Sequence, residues 1–217
     1  HRDLHSFPTR RSSDLTANEA VTAQDMPRAT VHHFTTHYGK LLEWMDAEKI
    51  QDGDTIILDA EPYITEPGSG PNPVVIDKSV TIQGGSKNVI HFRAAGLVLG
   101  ANVTFNNIVL GFQQRTRSAI MANGHTLTLN DVTQNQGTRD IHLFCGGLTG
   151  HSTTATQGTH GQIIIRGNTT LANIYAGSLS SNGAPNDFNY PATITIDDSA
   201  TGNMGNIYAS GAKQAFV

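Results

Sequence analysis

Three stretches decide the fold: Val80-Thr-Ile-Gln-Gly-Gly-Ser86, Val103-Thr-Phe-Asn-Asn-Ile-Val109 and Leu127-Thr-Leu-Asn-Asp-Val-Thr133. The second begins 23 residues after the first, and the third 24 residues after the second. Each opens apolar–Thr–apolar and then turns through a polar or glycine pair. A short strand pattern repeating at a period of roughly 20–50 residues marks a solenoid, in which one unit cannot bury its apolar face until the next stacks on it. Val80–Thr133 therefore reads as successive coils of a parallel β-helix. Asn106 and Asn130 hold equivalent places after the triplet, so stacking would set one above the other, where asparagine tolerates left-handed backbone and can bond to its copy.

Composition agrees. The chain has 217 residues, 37% of them hydrophobic and 15% charged, with 22 glycines. That apolar content is low for a compact globule but suits a solenoid, whose core is a narrow column. Net charge is −4 and no basic block occurs, so nucleic-acid binding has no electrostatic footing. No apolar run is long enough to insert in a membrane. The single cysteine, Cys145, makes an intrachain disulfide impossible; its apolar setting, Leu143-Phe-Cys-Gly-Gly147, suits a small core residue better than a reactive thiol.

His5-Ser-Phe-Pro-Thr-Arg-Arg-Ser-Ser-Asp-Leu15 resembles a translated sequencing adapter, so residues 1–15 are expected to be an artefact outside the fold. The natural ends are then expected to lie beyond this chain on both sides. Residues 16–34 carry no periodicity and read as a flexible lead-in, with the β-helix over 35–217. Tyr38, Leu41, Leu42 and Met45 follow i, i+3, i+4, i+7 and predict an amphipathic cap helix at about 37–48, with Thr35 or Thr36 as its N-cap. Thr55–Leu58 is a strand. Glu66–Pro73 is a loop, because proline and glycine deny it a ladder. Regular coils are expected over about 54–133 and longer-looped coils over 141–217. The change of period shows in Asn173-Ile-Tyr-Ala, which returns 33 residues later as Asn206-Ile-Tyr-Ala. Thr149–Gly161 and Asn182–Pro191 would be the protruding loops.

A short helix followed by Gly53-Asp-Thr-Ile-Ile-Leu-Asp59 and Tyr63-Ile64 resembles the start of right-handed β-helix proteins of the pectate-lyase-like superfamily. That resemblance implies a helix that caps the open end of the coil. Ile141-His-Leu-Phe-Cys-Gly-Gly-Leu-Thr149, His160-Gly-Gln-Ile-Ile-Ile165 and the Asn173-Ile-Tyr-Ala-Gly-Ser-Leu-Ser-Ser181 block resemble a module of Gram-positive bacterial surface proteins. From it come the expectations of an extracellular, cell-surface or cell-wall location and of a polysaccharide or host surface ligand.

Motifs for chemistry are sparse. Glycosidases on this fold place paired carboxylates across the scissile bond. The candidates here are Asp197 and Asp198, which neighbour each other in a turn after Ile194-Thr-Ile196, with Asp131 as a further carboxylate at a turn. Lyases resembling pectate lyase need an acidic Ca²⁺ nest, and only Asp131 and Asp140 are acidic between Ala94 and Asp187. His151 and His160 bracket the long insert and are candidates for catalysis. No histidine has zinc spacing, so no metal and no cofactor is expected. His142 alternates to the outer face of its strand. Phe188, Tyr190 and Phe112, in or beside loops, are the candidate binding residues, since exposed aromatics can stack on sugar rings. Tyr63 joins them in a turn or loop, and Tyr175 and Tyr208 either join them or stack inside the coil.

The reading is an all-β, right-handed, single-stranded parallel β-helix with a short N-terminal capping helix. Its expected role is a non-catalytic structural and adhesive module. A secreted polysaccharide lyase or glycoside hydrolase is the alternative, and a trimeric phage tail-fibre β-helix a third.

Overall fold

The computed structural model describes residues 28–64, 74–92, 96–112, 118–134, 141–149, 161–180, 192–209 and 212–213. The chain begins with β1 (Val31–Phe34) and helix α1 (Leu41–Ala47), followed by β2 (Thr55–Leu58) and β3 (Val74–Ile76). Next come β4 (Val80–Gly84), β5 (Val89–Phe92) and β6 (Gly96–Leu99), then β7 (Val103–Asn106), β8 (Val109–Phe112) and β9 (Ser118–Met121). The following coil holds β10 (Thr126–Asn130), β11 (Thr133–Gln134), β12 (Ile141–Phe144) and β13 (Leu148–Thr149). The last described coils hold β14 (Gln162–Arg166), β15 (Ile174–Tyr175) and β16 (Leu179–Ser180), then β17 (Thr193–Ile196), β18 (Ile207–Tyr208) and β19 (Ala212–Lys213).

Among the described residues the architecture is an all-β parallel solenoid with one short helix. Seven successive coils each give the first sheet one strand, and the other sheets draw strands from only some of those coils. The first sheet runs β1-β2-β4-β7-β10-β14-β17, the second β5-β8-β11, the third β3-β6-β9-β12-β15-β18 and the fourth β13-β16-β19, parallel throughout. Val80, Val103 and Leu127 stand in one register column, and Ile163 and Ile194 continue their face. The apolar–Thr–apolar triplet therefore works by strand alternation: Val80 and Ile82, Val103 and Phe105, Leu127 and Leu129 point inward at 0–4% exposure, while the threonines point out. Every such inward side chain contributes about 1.5–3 kcal/mol of burial, and the repeat stacks them into one column.

The corner after the first sheet is built from backbone of unusual hand. Asn107, Asp131 and Gly167 hold the same place in three coils, with φ of 53°, 54° and 58°. Asparagine, aspartate and glycine are the residues that visit this region at least cost. The asparagine ladder forms one residue earlier than this strain: Asn130 Nδ2 donates to Asn106 Oδ1 at 2.8 Å. Left-handed backbone therefore falls to Asn107 and Asp131, not to Asn106 and Asn130.

The N-terminal end differs from the sequence expectation in two ways. First, Val31–Phe34 belongs to the solenoid rather than to a lead-in: β1 pairs with β2, and Phe34 is fully buried. Four residues are too few for periodicity to register, yet one apolar side chain over the core is enough to dock them. Second, the helix is Leu41–Ala47, shorter than 37–48, and neither Thr35 nor Thr36 caps it. Lys40 is the N-cap residue, without a side-chain cap. The Leu41 N–H instead donates to the carbonyl of Tyr63 at 2.9 Å, so the solenoid itself takes the free donor of the first turn. Lys49, at φ 56°, ends the helix in a left-handed turn, and Ile50 N–H returns to Met45 O. Leu41 and Met45 are buried on the end of the core, Leu42 and Trp44 pack partly against it, and Trp44 meets Phe34 edge to face at 5.1 Å.

A second, smaller apolar cluster lies on the outer face of the third sheet. Val98, Ala119, Met121 and Phe144 point away from the coil interior, yet are 0–1% exposed, with Leu179 of β16 packed among them. On the last coil Ile196 and Ile207 are exposed, at 47% and 46%.

Candidate functional site

The best-formed group of functional side chains lies on the outer face at the N-terminal end. Lys40, Tyr63 and His91 occupy one position in successive coils through single parallel bridges, and Gly111 follows His91 in register. Ile90 and Phe92 point inward and are fully buried, so alternation turns His91 outward. Tyr63 lies against His91, their rings 5.2 Å apart. Tyr38 lies over Tyr63 at 5.1 Å and 21°, and His37 lies against Tyr38 at 3.8 Å. The result is a stepped aromatic column with buried inner members: Tyr63 and His91 are 6% and 9% exposed, whereas Tyr38 is 47% exposed.

Tyr38 reaches this place with a φ of 55°, a strained conformation for a bulky residue. Its N–H donates to the carbonyl of Glu61 at 3.0 Å, which fixes the strained turn beside the Glu61 side chain. Glu61 Oε2 lies 2.9 Å from His91 Nε2. A carboxylate only accepts, so Nε2 carries the proton of this bond. The hydrogen bond from His91 holds the Glu61 carboxyl below its ordinary value against the opposing effect of burial, with help from the charges of His91, Lys87 and His37. Among the described residues, His91 Nδ1 is buried without a hydrogen-bond partner; it faces Gly111, where a Cβ would come within 3.2 Å of it and 2.7 Å of Val89. Gly111 thus makes room for the imidazole. This arrangement offers one open aromatic face, with an acceptor carboxylate and an imidazole beside it. Stacking on the open ring and hydrogen bonding to the Glu61 carboxylate are interactions this arrangement can offer a ligand.

The carboxylates singled out from the sequence lie elsewhere, at the corner after the first sheet. Asp197 accepts the Ser199 N–H at 3.0 Å and lies 3.3 Å from Arg166 Nε. The Ser199 bonds, then Arg166, hold its carboxyl below the ordinary value. Asp198 follows in the turn. Asp131 Oδ1 accepts the Asn168 N–H at 2.8 Å. His151, His160, Phe188 and Tyr190 lie outside the described residues, and Phe112 ends β8 with its side chain outside them. Cys145 is buried, and burial pushes its thiol up to about 12. His142 lies half-buried on the outer face of the third sheet, with Nδ1 3.5 Å from Asn173 Nδ2. Phe144, Tyr175 and Tyr208 stack beside it at 4.8 and 4.7 Å, also outside the coil rather than within it. Among the described residues no three His, Cys, Asp or Glu side chains are grouped to hold a metal ion.

Sequence reasoning missed Tyr38 as a site residue because its spacing to Leu41 and Met45 assigned it to the helix. It missed the Glu61–His91 pair because the two are 30 residues apart and meet only when coils stack. Alternation across Val89-Ile-His-Phe92 was the available signal, since it turns a histidine outward from an apolar strand. No protein-family model matches the chain, and comparison with curated proteins and with solved structures yields no match.

Proposed function

We propose that this chain is a non-catalytic, adhesive module of a bacterial cell-surface protein, and that it holds glycan on the Tyr38 face. The observation that carries the reading is the exposed Tyr38 ring, fixed by a strained turn and backed by Tyr63 and His91. A rigid aromatic face suits the apolar side of a sugar ring, and the adjacent Glu61 carboxylate accepts hydroxyl donors. A solenoid presents such faces on a stiff rod, which is the mechanical requirement of a surface adhesin. Resemblance of the first coils to the pectate-lyase-like superfamily, and of the later motifs to Gram-positive surface modules, supports the class and the extracellular location.

The test is retention of the full chain on a glycan array, with released reducing ends and unsaturated uronates assayed in parallel. Expected is retention without turnover, weakened about tenfold in Tyr38→Ala, consistent with loss of roughly 1.4 kcal/mol of stacking. The melting temperature should change little, because Tyr38 is half exposed and outside the core. Product release from uronate or mucin-type glycans overturns the non-catalytic reading in favour of a lyase or hydrolase. Retention equal in the wild type and Tyr38→Ala overturns the assignment of the face.

A further inference from the structure

Glu61 joins the two parts of the Tyr38 face. Its carbonyl accepts the Tyr38 N–H at 3.0 Å, and its carboxylate accepts from His91 Nε2 at 2.9 Å. Among the described residues only Oε2 of that carboxylate is engaged, which leaves Oε1 as an acceptor, and the side chain is 22% exposed.

His91 is held by its backbone and by the neighbours of its ring. Its N–H donates to the carbonyl of Pro62 at 2.9 Å, and its own carbonyl accepts from Ile64 at 3.0 Å, so it is clamped on the coil that carries Glu61 and Tyr63. Its ring lies 5.2 Å from that of Tyr63. Gly111 follows in register, where a Cβ would come within 3.2 Å of Nδ1. Nδ1 is buried with no partner among the described residues. A buried orphan acceptor costs stability, and a phenylalanine ring would pack on Tyr63 without one. What the histidine adds is a single donor, Nε2–H, and that donor goes to Glu61. Packing alone does not account for a histidine in this place.

We propose that His91 is the positioning residue of the Tyr38 face: its Nε2–H holds the Glu61 carboxylate so that Oε1 accepts a hydroxyl of a sugar stacked on Tyr38, and the missing side chain at Gly111 gives the imidazole its room. The proposal rests on the glycan reading for its ligand, but the hold of His91 on Glu61 is measurable without one. Hydroxyl presentation as well as stacking then sets selectivity, because a site built to bond a hydroxyl discriminates against a ligand that lacks it. The charged and titratable groups around Glu61 are His91, Lys87 ahead of β5, and His37 beside Tyr38. Of these the bond from His91 does most to hold the Glu61 carboxyl below its ordinary value, so the titration of Glu61 reports whether that bond is made.

The experiment compares the full chain with His91→Phe, His91→Gln and Gly111→Ala. Glu61 is titrated by ¹³C NMR, retention is measured on the glycan array, and circular dichroism checks the fold. Phenylalanine keeps a ring against Tyr63 and removes the donor, whereas glutamine keeps a donor near the place of Nε2. Expected in His91→Phe is a Glu61 carboxyl moved up toward its ordinary value, with retention lowered about tenfold by the loss of one hydrogen bond. Glutamine should recover most of both, which a purely structural role of the ring would not produce. Gly111→Ala displaces the imidazole without changing it; it should move Glu61 in the same direction and replaces His91→Phe should that variant fail to fold. An unchanged Glu61 titration in His91→Phe overturns the proposal. So does unchanged retention in that variant, or glutamine behaving as phenylalanine does. If no glycan retains the wild type, the glycan reading falls, and the Glu61 titration by itself decides whether His91 positions the carboxylate.

Discussion

Asn107 shows how one residue serves a corner. Its side chain is exposed and its φ is 53°, so whatever it contributes comes through the backbone. Left-handed conformation costs an ordinary L-residue roughly 1–2 kcal/mol, glycine nothing, and asparagine little. Asn107→Gly is therefore expected within about 0.5 kcal/mol of wild type. Asn107→Ala should cost about 1 kcal/mol and Asn107→Val about 2 kcal/mol, measured by urea denaturation. An equal cost for all three would mean that the asparagine side chain, not the turn, is what matters. The neighbouring corner is tighter still: a Cβ on Gly84 would run into the carbonyl oxygen of Asn107. Sequence pattern pointed to a turn here, because the polar pair follows the triplet. Which of the pair takes the left-handed φ depends on the stacked coils, since Asn130 Nδ2 must reach Asn106 Oδ1.

At the scale of the element, β1 is held by carboxylates beside β2 as well as by its own Phe34. Asp54, 3% exposed, accepts the N–H of Thr30 at 2.7 Å and of Gln51 at 2.8 Å, and lies 3.1 Å from His32 Nε2. Asp59 lies 2.7 Å from His33 Nδ1, so both histidines of the strand are tied to the loops around β2. Burial pushes the Asp54 carboxyl up, but the Gln51, Thr30 and His32 bonds outweigh it and hold it below the ordinary value. His33 and then Ser86 do the same for Asp59. With folded-state values lowered, the unfolded chain takes up protons first as pH falls. The stability these groups contribute is complete above the ordinary carboxylate value near 4 and is lost as pH drops through the lower folded values. Urea midpoints measured from pH 5 to pH 3 should fall for the wild type. In Asp54→Asn the fall should be shallower, starting from a neutral-pH stability reduced by about 1–3 kcal/mol. Parallel acid limbs for the two proteins would remove Asp54 from the account. The helix was legible from its apolar spacing, whereas β1 was not, because its anchors lie 22 and 26 residues away.

The whole molecule is a stack in which each coil touches its neighbours, so its stability is close to a sum over coils. Val80, Val103 and Leu127 occupy one column, which makes the coil of residues 103–126 removable in principle: Leu127 would then follow Asn102 and stack on Val80. The deletion is expected to fold, with unchanged circular dichroism shape and a smaller urea m-value, because less surface is exposed on unfolding. Loss of cooperative unfolding would show that this coil carries more than its share. The amino-acid sequence by itself determined the solenoid, the register of the first-sheet triplets, and the helical cap, because each of these rests on a local period that alternation or helical spacing converts directly into a buried face. Only the tertiary structure decided which outward-facing side chains meet. Tyr38, Glu61, Tyr63 and His91 come together across coils, and the outer apolar cluster arises from how side layers pack on strands of fixed spacing, about 4.8 Å. Contacts between coils depend on the lengths and paths of the intervening loops, which leave no periodic signal in the chain.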